Sequence, residues 1–206
     1  MKQVIFSIAG ILVAAVGAVG GYMGWVEKQQ VNVYEVGDRV DDFSLTDIYG
    51  QRVSLSDYEG ALGYIIIFTC STCPYSVLYE DRIITLADMY TDAGFPLLVL
   101  NPNNPDLKPG DDVAVLTQRA DSLQFNFPYL IDDQQIHERF GAEKMPQVFL
   151  LDRNKTLCYK GAIDDNVHNS AGVREKYLEL ALASLQKEET PELQETRVTG
   201  CTIKAR

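Results

Sequence analysis

Two cysteines stand at a spacing that suits redox chemistry. Cys70 and Cys73 follow an uncharged, β-branched and aromatic run at residues 62–68, and Pro74 comes directly after Cys73. The run is typical of a buried strand, and proline suits the first turn of a helix. We therefore expect both thiols at a strand-to-helix junction. The partial positive charge of a helix start lowers the pKa of such a thiol below its usual value of about 8.5.

Two sulfurs in this position can exchange a disulfide with a partner. We expect Cys70 to be the exposed nucleophile and Cys73 the less accessible thiol that releases the mixed disulfide. The alternative is a structural zinc half-site or two buried thiols. A closed zinc site needs four ligands, and the other cysteines and histidines of the chain form no second pair at similar spacing. The motif therefore favours dithiol–disulfide chemistry, with no metal and no cofactor.

The composition indicates one globular domain with an additional segment at its front. The chain has 206 residues, of which 46% are hydrophobic, and a net charge of -11. This length and composition suffice for a substantial core. The negative charge argues against nucleic acid as a partner.

The segment at the front is apolar. No charged residue occurs from Gln3 to Val26, and a helix of about 20 apolar residues spans a bilayer core. A cleaved signal peptide is the alternative, but its apolar region is usually only about 7–15 residues long. The length favours an uncleaved transmembrane anchor over residues 1–26. Lys2 in front of it favours a single-pass protein of a bacterial-type cell membrane, with the domain on the periplasmic side, where disulfides are permitted.

The rest of the chain divides into a polar tether (27–36), a domain (37–187) and a charged tail (188–206) that we expect to be irregular. Within the domain, apolar alternation around residues 49–50 predicts a hairpin. Strands then alternate with helices, and a second hairpin and a helix over 173–186 follow. This pattern predicts an α/β domain whose sheet is first mostly parallel and ends with antiparallel strands.

Several segments of the chain resemble a known family. Residues 37–60 resemble the entry segment of redoxins, the thioredoxin-like superfamily that includes peroxiredoxins of the alkyl hydroperoxide reductase and thiol-specific antioxidant type. The chain also resembles a narrower group, the peroxiredoxin-like proteins with a Cys-x-x-Cys motif. This resemblance lies at residues 68–75, 79–82, 125–130, 159–166 and 195–204. The resemblance implies a thioredoxin-like fold, a central mixed sheet flanked by helices, here preceded by a single transmembrane helix.

The resemblance also implies a cis-proline loop that faces the two sulfurs. Met145 and Pro146 stand where this loop belongs. Its backbone would position an extended substrate by hydrogen bonds beside the sulfurs. The alternative is a trans proline that starts a strand.

Two enzyme roles compete within the family. If Cys73 is aligned with the peroxide-reactive cysteine of peroxiredoxins, its helper threonine and proline are replaced by Cys70 and Ile66. The pattern thus favours an anchored thiol–disulfide oxidoreductase over a thiol-dependent peroxidase. Its partners would be a dithiol electron donor and a disulfide-containing exported protein or small thiol. A copper-binding assembly protein is a third alternative, and it needs His137 or His168 near the sulfurs.

Three further residues are of interest. Glu80 lies on a possible inward helix face, as a candidate proton acceptor for the resolving thiol. Its alternative is a solvated side chain or an ion pair with Arg82 or a neighbour. Cys201 lies in a tail segment that the resemblance includes, and it either packs or reaches the active disulfide as a third thiol. Cys158 is expected to be a small buried apolar residue.

Overall fold

The computed structural model describes residues 31–205, which belong to one compact unit. The expected anchor over residues 1–26 and the first four residues of the tether, 27–30, lie outside the described residues. Among residues 31–205, no helix has the length and apolar character that a bilayer crossing requires.

The elements largely follow the predicted alternation of strands and helices. In chain order they are β1 (Ser44–Asp47), β2 (Arg52–Ser54), β3 (Gly63–Phe68), α1 (Pro74–Tyr90), β4 (Leu97–Asn101), α2 (Val113–Leu123), β5 (Tyr129–Ile131), α3 (Ile136–Phe140), β6 (Lys144–Met145), β7 (Gln147–Asp152), β8 (Leu157–Gly161), α4 (Tyr177–Gln186) and β9 (Cys201–Thr202).

The described residues form one sheet of seven strands in the order β2-β1-β5-β4-β3-β7-β8, and a separate pair β6-β9. The pairs β3–β4 and β4–β5 are parallel, and the remaining pairs of the large sheet are antiparallel. The sheet is mixed, as expected, but it is less parallel than the alternating pattern indicated. The reason is that the first hairpin joins it beside β5 in antiparallel orientation.

The central strand β3 is buried on both faces. Ile65 and Ile67 contribute to one apolar cluster, which includes side chains of α1, α2 and α4. Ile66 and Phe68 contribute to a second cluster, with β1 and α3. Because successive side chains of a strand point to opposite faces, β3 connects both cores. The rigid end of this strand is where the cysteine motif begins.

Two sequence-based expectations need correction. Helix α4 begins at Tyr177, four residues later than expected, because the segment before it bonds elsewhere. Glu175 accepts a hydrogen bond from the backbone N–H of Asp165, whose side chain accepts one from the N–H of Arg174. The tail, expected to be irregular, contains strand β9, which pairs with β6.

Asp164 links helix α1 to the loop after β8. Its carboxylate is buried and accepts a 2.7 Å hydrogen bond from the Tyr79 hydroxyl and another of 2.7 Å from the Arg82 guanidinium. Arg82 also donates to the carbonyl oxygens of Asn166 and Val167. Two of the segments that carried the family resemblance are therefore in direct contact.

Replacing Asp164 tests this link. Asp164→Ala leaves a buried hydroxyl and a largely buried guanidinium without their acceptor, so we expect the free energy of unfolding to fall by about 3 kcal/mol. Urea denaturation measures the change. The matched control is Asp165→Ala, at an exposed neighbouring carboxylate, for which we expect a loss below about 1 kcal/mol. Equal losses for the two variants would contradict the assignment.

Candidate active site

The cysteine motif lies where the sequence predicted it. Strand β3 ends at Phe68, Cys73 occupies the N-cap of α1, and Pro74 is the first helical residue. The carbonyl oxygen of Cys73 accepts the first helical hydrogen bond, from Val77 at 3.0 Å. Cys70 and Cys73 pack together with Met145 in a small apolar cluster, and each is only 2% exposed. The expectation that Cys70 is the exposed thiol of the pair is therefore wrong in this state, because the tail residues Cys201 and Ile203 pack against the cluster.

Cys70 is a free thiol. The hydroxyl of Thr72 donates to its sulfur at 3.8 Å, and the backbone N–H groups of Thr72 and Cys73 also favour the thiolate. These contacts lower the pKa of Cys70, but burial raises it by more and the charge of Asp111 adds to the rise. The expectation that the pKa of this thiol is lowered is therefore wrong for this state. Desolvation of the thiolate outweighs the stabilising effect of the partial positive charge at the helix start.

Cys73 forms a disulfide with Cys201 across 128 residues of sequence, with the two Cα atoms 5.9 Å apart. Of the two alternatives for Cys201, the structure thus shows the one in which it reaches the motif. The disulfide present is not the expected pairing of Cys70 with Cys73. The sulfur of Cys73 also lies 3.4 Å from the carbonyl oxygen of Met145.

The bond between Met145 and Pro146 is cis, so the trans alternative is wrong. Met145 is 1% exposed and packs on both motif cysteines. It ends β6, whose partner strand β9 comes from the tail. The loop therefore lies beside the sulfurs, as the resemblance implied.

Sequence reasoning missed Asp111 as a residue of the site. Its buried carboxylate accepts hydrogen bonds from the backbone N–H groups of Ser71 at 2.8 Å and Thr72 at 3.2 Å. It also accepts from both hydroxyls, at 2.9 and 2.7 Å, and from the Asn103 side chain at 2.7 Å. Asp111 thus holds the two residues between the cysteines. No local sequence signal identifies it, because the contact joins positions forty residues apart.

Glu80 is paired, although not with Arg82. Its carboxylate accepts two hydrogen bonds of 2.6 Å from the guanidinium of Arg119 on α2. It lines a small cavity together with Thr69 and Tyr129. This ion pair is the alternative that the sequence analysis gave for Glu80, in which the carboxylate is paired with a neighbouring side chain. Proton acceptance by Glu80 stays a prediction.

The remaining candidates lie outside the sulfur cluster. The ring of His137 bonds to Asp132 at 2.7 Å, and that of His168 packs on Tyr75. Within residues 31–205, no three His, Cys, Asp or Glu side chains are grouped as a metal site requires. Cys158 is partly exposed and not buried as expected. Its partial burial, together with the nearby charge of Asp152, raises its pKa to about 11. The copper alternative therefore lacks the ligand group it needs among the described residues.

A cysteine pair at a strand-to-helix junction, facing a cis-proline beside a mixed sheet, defines an oxidoreductase of the thioredoxin-like class. Residues 36–160 match the AhpC/TSA family. The chain belongs to the AhpC/TSA family.

Known proteins similar to this chain agree with that class. The chain is 30% identical over 148 residues to the thiol-disulfide oxidoreductase ResA of Geobacillus kaustophilus, covering 70% of this chain and 77% of the relative. It is 26% identical to the thioredoxin-like protein YneN of Bacillus subtilis, covering 77% and 86%. The crystal structure of an uncharacterized conserved protein from Geobacillus kaustophilus is similar with a TM-score of 0.77 and 28% identity, covering 85% and 94%.

Asp111→Asn tests the electrostatics of the site. The substitution removes the negative charge that raises the pKa of Cys70, so we expect this pKa to fall and the thiolate fraction near neutral pH to rise. The pH profile of iodoacetamide alkylation at Cys70, read by peptide mass, measures it. Asp112→Asn is the matched control, because it changes the neighbouring exposed helix cap. Identical profiles for wild type and Asp111→Asn would contradict the assignment.

Proposed function

We propose that this oxidoreductase is a membrane-anchored enzyme that exchanges thiols and disulfides through Cys70 and Cys73. The observation that carries the proposal is the cluster of both sulfurs with Met145, directly before the cis-proline. The names of the relatives in Geobacillus and Bacillus support the same chemistry.

The proposed reaction moves two electrons from the enzyme to a substrate disulfide. The Cys70 thiolate attacks one substrate sulfur, a mixed disulfide forms, and the other substrate sulfur leaves as a thiolate. Cys73 then attacks the Cys70 sulfur, which releases the second substrate thiolate and leaves a Cys70–Cys73 disulfide. A dithiol donor then returns the enzyme to its reduced form and is itself oxidised. The substrates are disulfides of exported proteins or small thiols.

The proposed membrane anchor and the proposed compartment are supported by the sequence. The uncharged run from Gln3 to Val26 supports a single membrane-spanning helix, and Lys2 in front of it supports a domain on the periplasmic side of a bacterial-type membrane. A dithiol donor in or at that membrane would then supply the electrons.

Cys70→Ala tests the nucleophile. We expect the rate of reduction of a disulfide-containing peptide to fall by at least about a hundredfold, because the attacking sulfur is gone. Cys158→Ser is the control with unchanged activity. Full activity of Cys70→Ala would refute the proposal.

A second candidate function is a thiol peroxidase that reacts at Cys73. The disulfide between Cys73 and Cys201 favours it, because a distant thiol that condenses with a sulfenic acid at Cys73 would give the same bond. The peroxidase predicts that Cys70→Ala still consumes hydrogen peroxide. Loss of both activities in Cys70→Ala would exclude it in favour of thiol–disulfide exchange.

Cell fractionation tests the anchor. We expect the full-length chain, produced in a bacterium with two membranes, to stay with the membranes after washing with alkaline carbonate. Protease added to spheroplasts should digest the domain, because it faces outward. Recovery of the chain in the soluble periplasmic fraction would support a cleaved signal peptide instead. Protection from the protease would reverse the proposed orientation.

A further inference from the structure

The tail occupies the edge that an extended substrate would use. Strand β9 runs antiparallel to β6, with Cys201 opposite Met145 and Thr202 opposite Lys144. An added strand is the usual way in which an extended peptide binds to such an edge. Cys201 therefore stands where a substrate cysteine would stand, and its sulfur is bonded to the motif.

The close packing of the tail on the domain depends on two glycines. A β-carbon on Gly200 would clash with the carbonyl group of Met145, with only 2.7 Å to its carbon. A β-carbon on Gly161 would lie 2.8 Å from the backbone nitrogen of Thr196. The Thr196 hydroxyl bonds to the hydroxyl of Tyr159 at 2.6 Å. The backbone of the tail thus approaches the domain more closely than any side chain would permit.

The far end of the tail is connected to the cysteine motif by hydrogen bonds. The N–H of Lys204 donates to the Asn103 side chain at 2.8 Å, and the carbonyl of Lys204 accepts from Asn104 at 2.8 Å. Asn103 donates in turn to Asp111, which holds Ser71 and Thr72. One network of hydrogen bonds therefore contacts both the end of the tail and the residues between the two motif cysteines.

The three cysteines differ in exposure. Cys70 and Cys73 are 2% exposed, and Cys201 and Ile203 pack against them, whereas Cys201 as a residue is partly exposed. A donor that reduces the enzyme by attack on a sulfur reaches Cys201 most readily in this state. Cys70 is meanwhile a free thiol beside the disulfide.

We propose that Cys201 is a third catalytic cysteine, which moves the disulfide from the buried motif to the surface after each oxidation. The proposal rests on the function proposed above and names the site at which the electron donor attacks. The carrying observation is that the tail places Cys201 on the substrate edge, bonded to Cys73, while Cys70 is free.

The steps balance without a further reagent. After a substrate has been reduced, the motif holds a Cys70–Cys73 disulfide. The Cys201 thiolate attacks the Cys73 sulfur, the Cys73–Cys201 bond forms, and Cys70 leaves as a thiolate that takes a proton from water. A donor dithiol then attacks the Cys201 sulfur and Cys73 leaves as a thiolate. The second donor thiolate attacks the first donor sulfur, which releases Cys201 and oxidises the donor to a disulfide.

A time course of disulfide mapping tests the proposal. The reduced full-length enzyme is mixed with an equimolar peptide that carries one internal disulfide, and samples are quenched with acid, alkylated and mapped by mass. We expect Cys70–Cys73 to form first and Cys73–Cys201 to replace it. Cys201→Ser should stop at Cys70–Cys73, and Cys158→Ser should behave as wild type. Gly200→Ala keeps all cysteines but disturbs the packing of the tail against Met145. It should therefore retain a larger fraction of the Cys70–Cys73 disulfide than the wild type does.

The failures of the two proposals give different results. If the peptide is reduced in a Cys70-dependent way but Cys201 remains open to alkylation throughout, Cys201 has no redox role and only the present proposal fails. The same holds if Cys73–Cys201 forms but excess dithiothreitol does not reduce it, because the bond is then structural. If Cys70–Cys73 never forms and the peptide is not reduced, both proposals fail.

The reducing half-reaction gives a second test. With dithiothreitol as the dithiol, we expect oxidised Cys201→Ser to be reduced about tenfold more slowly than the oxidised wild type, because its disulfide is buried in the motif. The oxidation of the reduced enzyme by the peptide should change less than about twofold. Equal rates of reduction for the two proteins would overturn the proposal.

Discussion

Desolvation of the motif sulfurs dominates the chemistry of this protein in the state described. A helix start and two backbone N–H groups favour the Cys70 thiolate, yet burial beneath the tail and the charge of Asp111 raise its pKa. A thiolate is strongly favoured only where water or positive charge reaches it. In the tail-bonded enzyme Cys70 is thus protonated at neutral pH.

The fold was largely predictable because its signals are local. The uncharged run before Cys70, the turn at Tyr49 and the hairpin after Pro146 each occupy a few neighbouring residues, and all appear as expected in the structure. The antiparallel attachment of the first hairpin beside β5 was not predictable from such signals. It depends on the pairing of segments about eighty residues apart, for which apolar alternation contains no information.

The site was predictable in its residues but not in its bonding. The spacing of Cys70 and Cys73 identified the motif, and the resemblance identified the proline loop and Cys201. Which two of three thiols are bonded depends on the path of the tail, whose charged composition indicated no strand. Asp111 remained hidden for a similar reason, since a buried carboxylate that binds hydroxyls and N–H groups looks in sequence like any loop aspartate.

The separate segments that resemble one family are physically joined in the fold. Tyr79 and Arg82 bond to Asp164, and Thr196 bonds to Tyr159, so helix α1, the loop after β8 and the start of the tail hold one another. The tail is thereby fixed upstream of Cys201, and the bonds of Lys204 fix it downstream. Between these anchor points only a few residues span the substrate edge. We therefore expect that edge to open by release of this short segment and of one reducible bond.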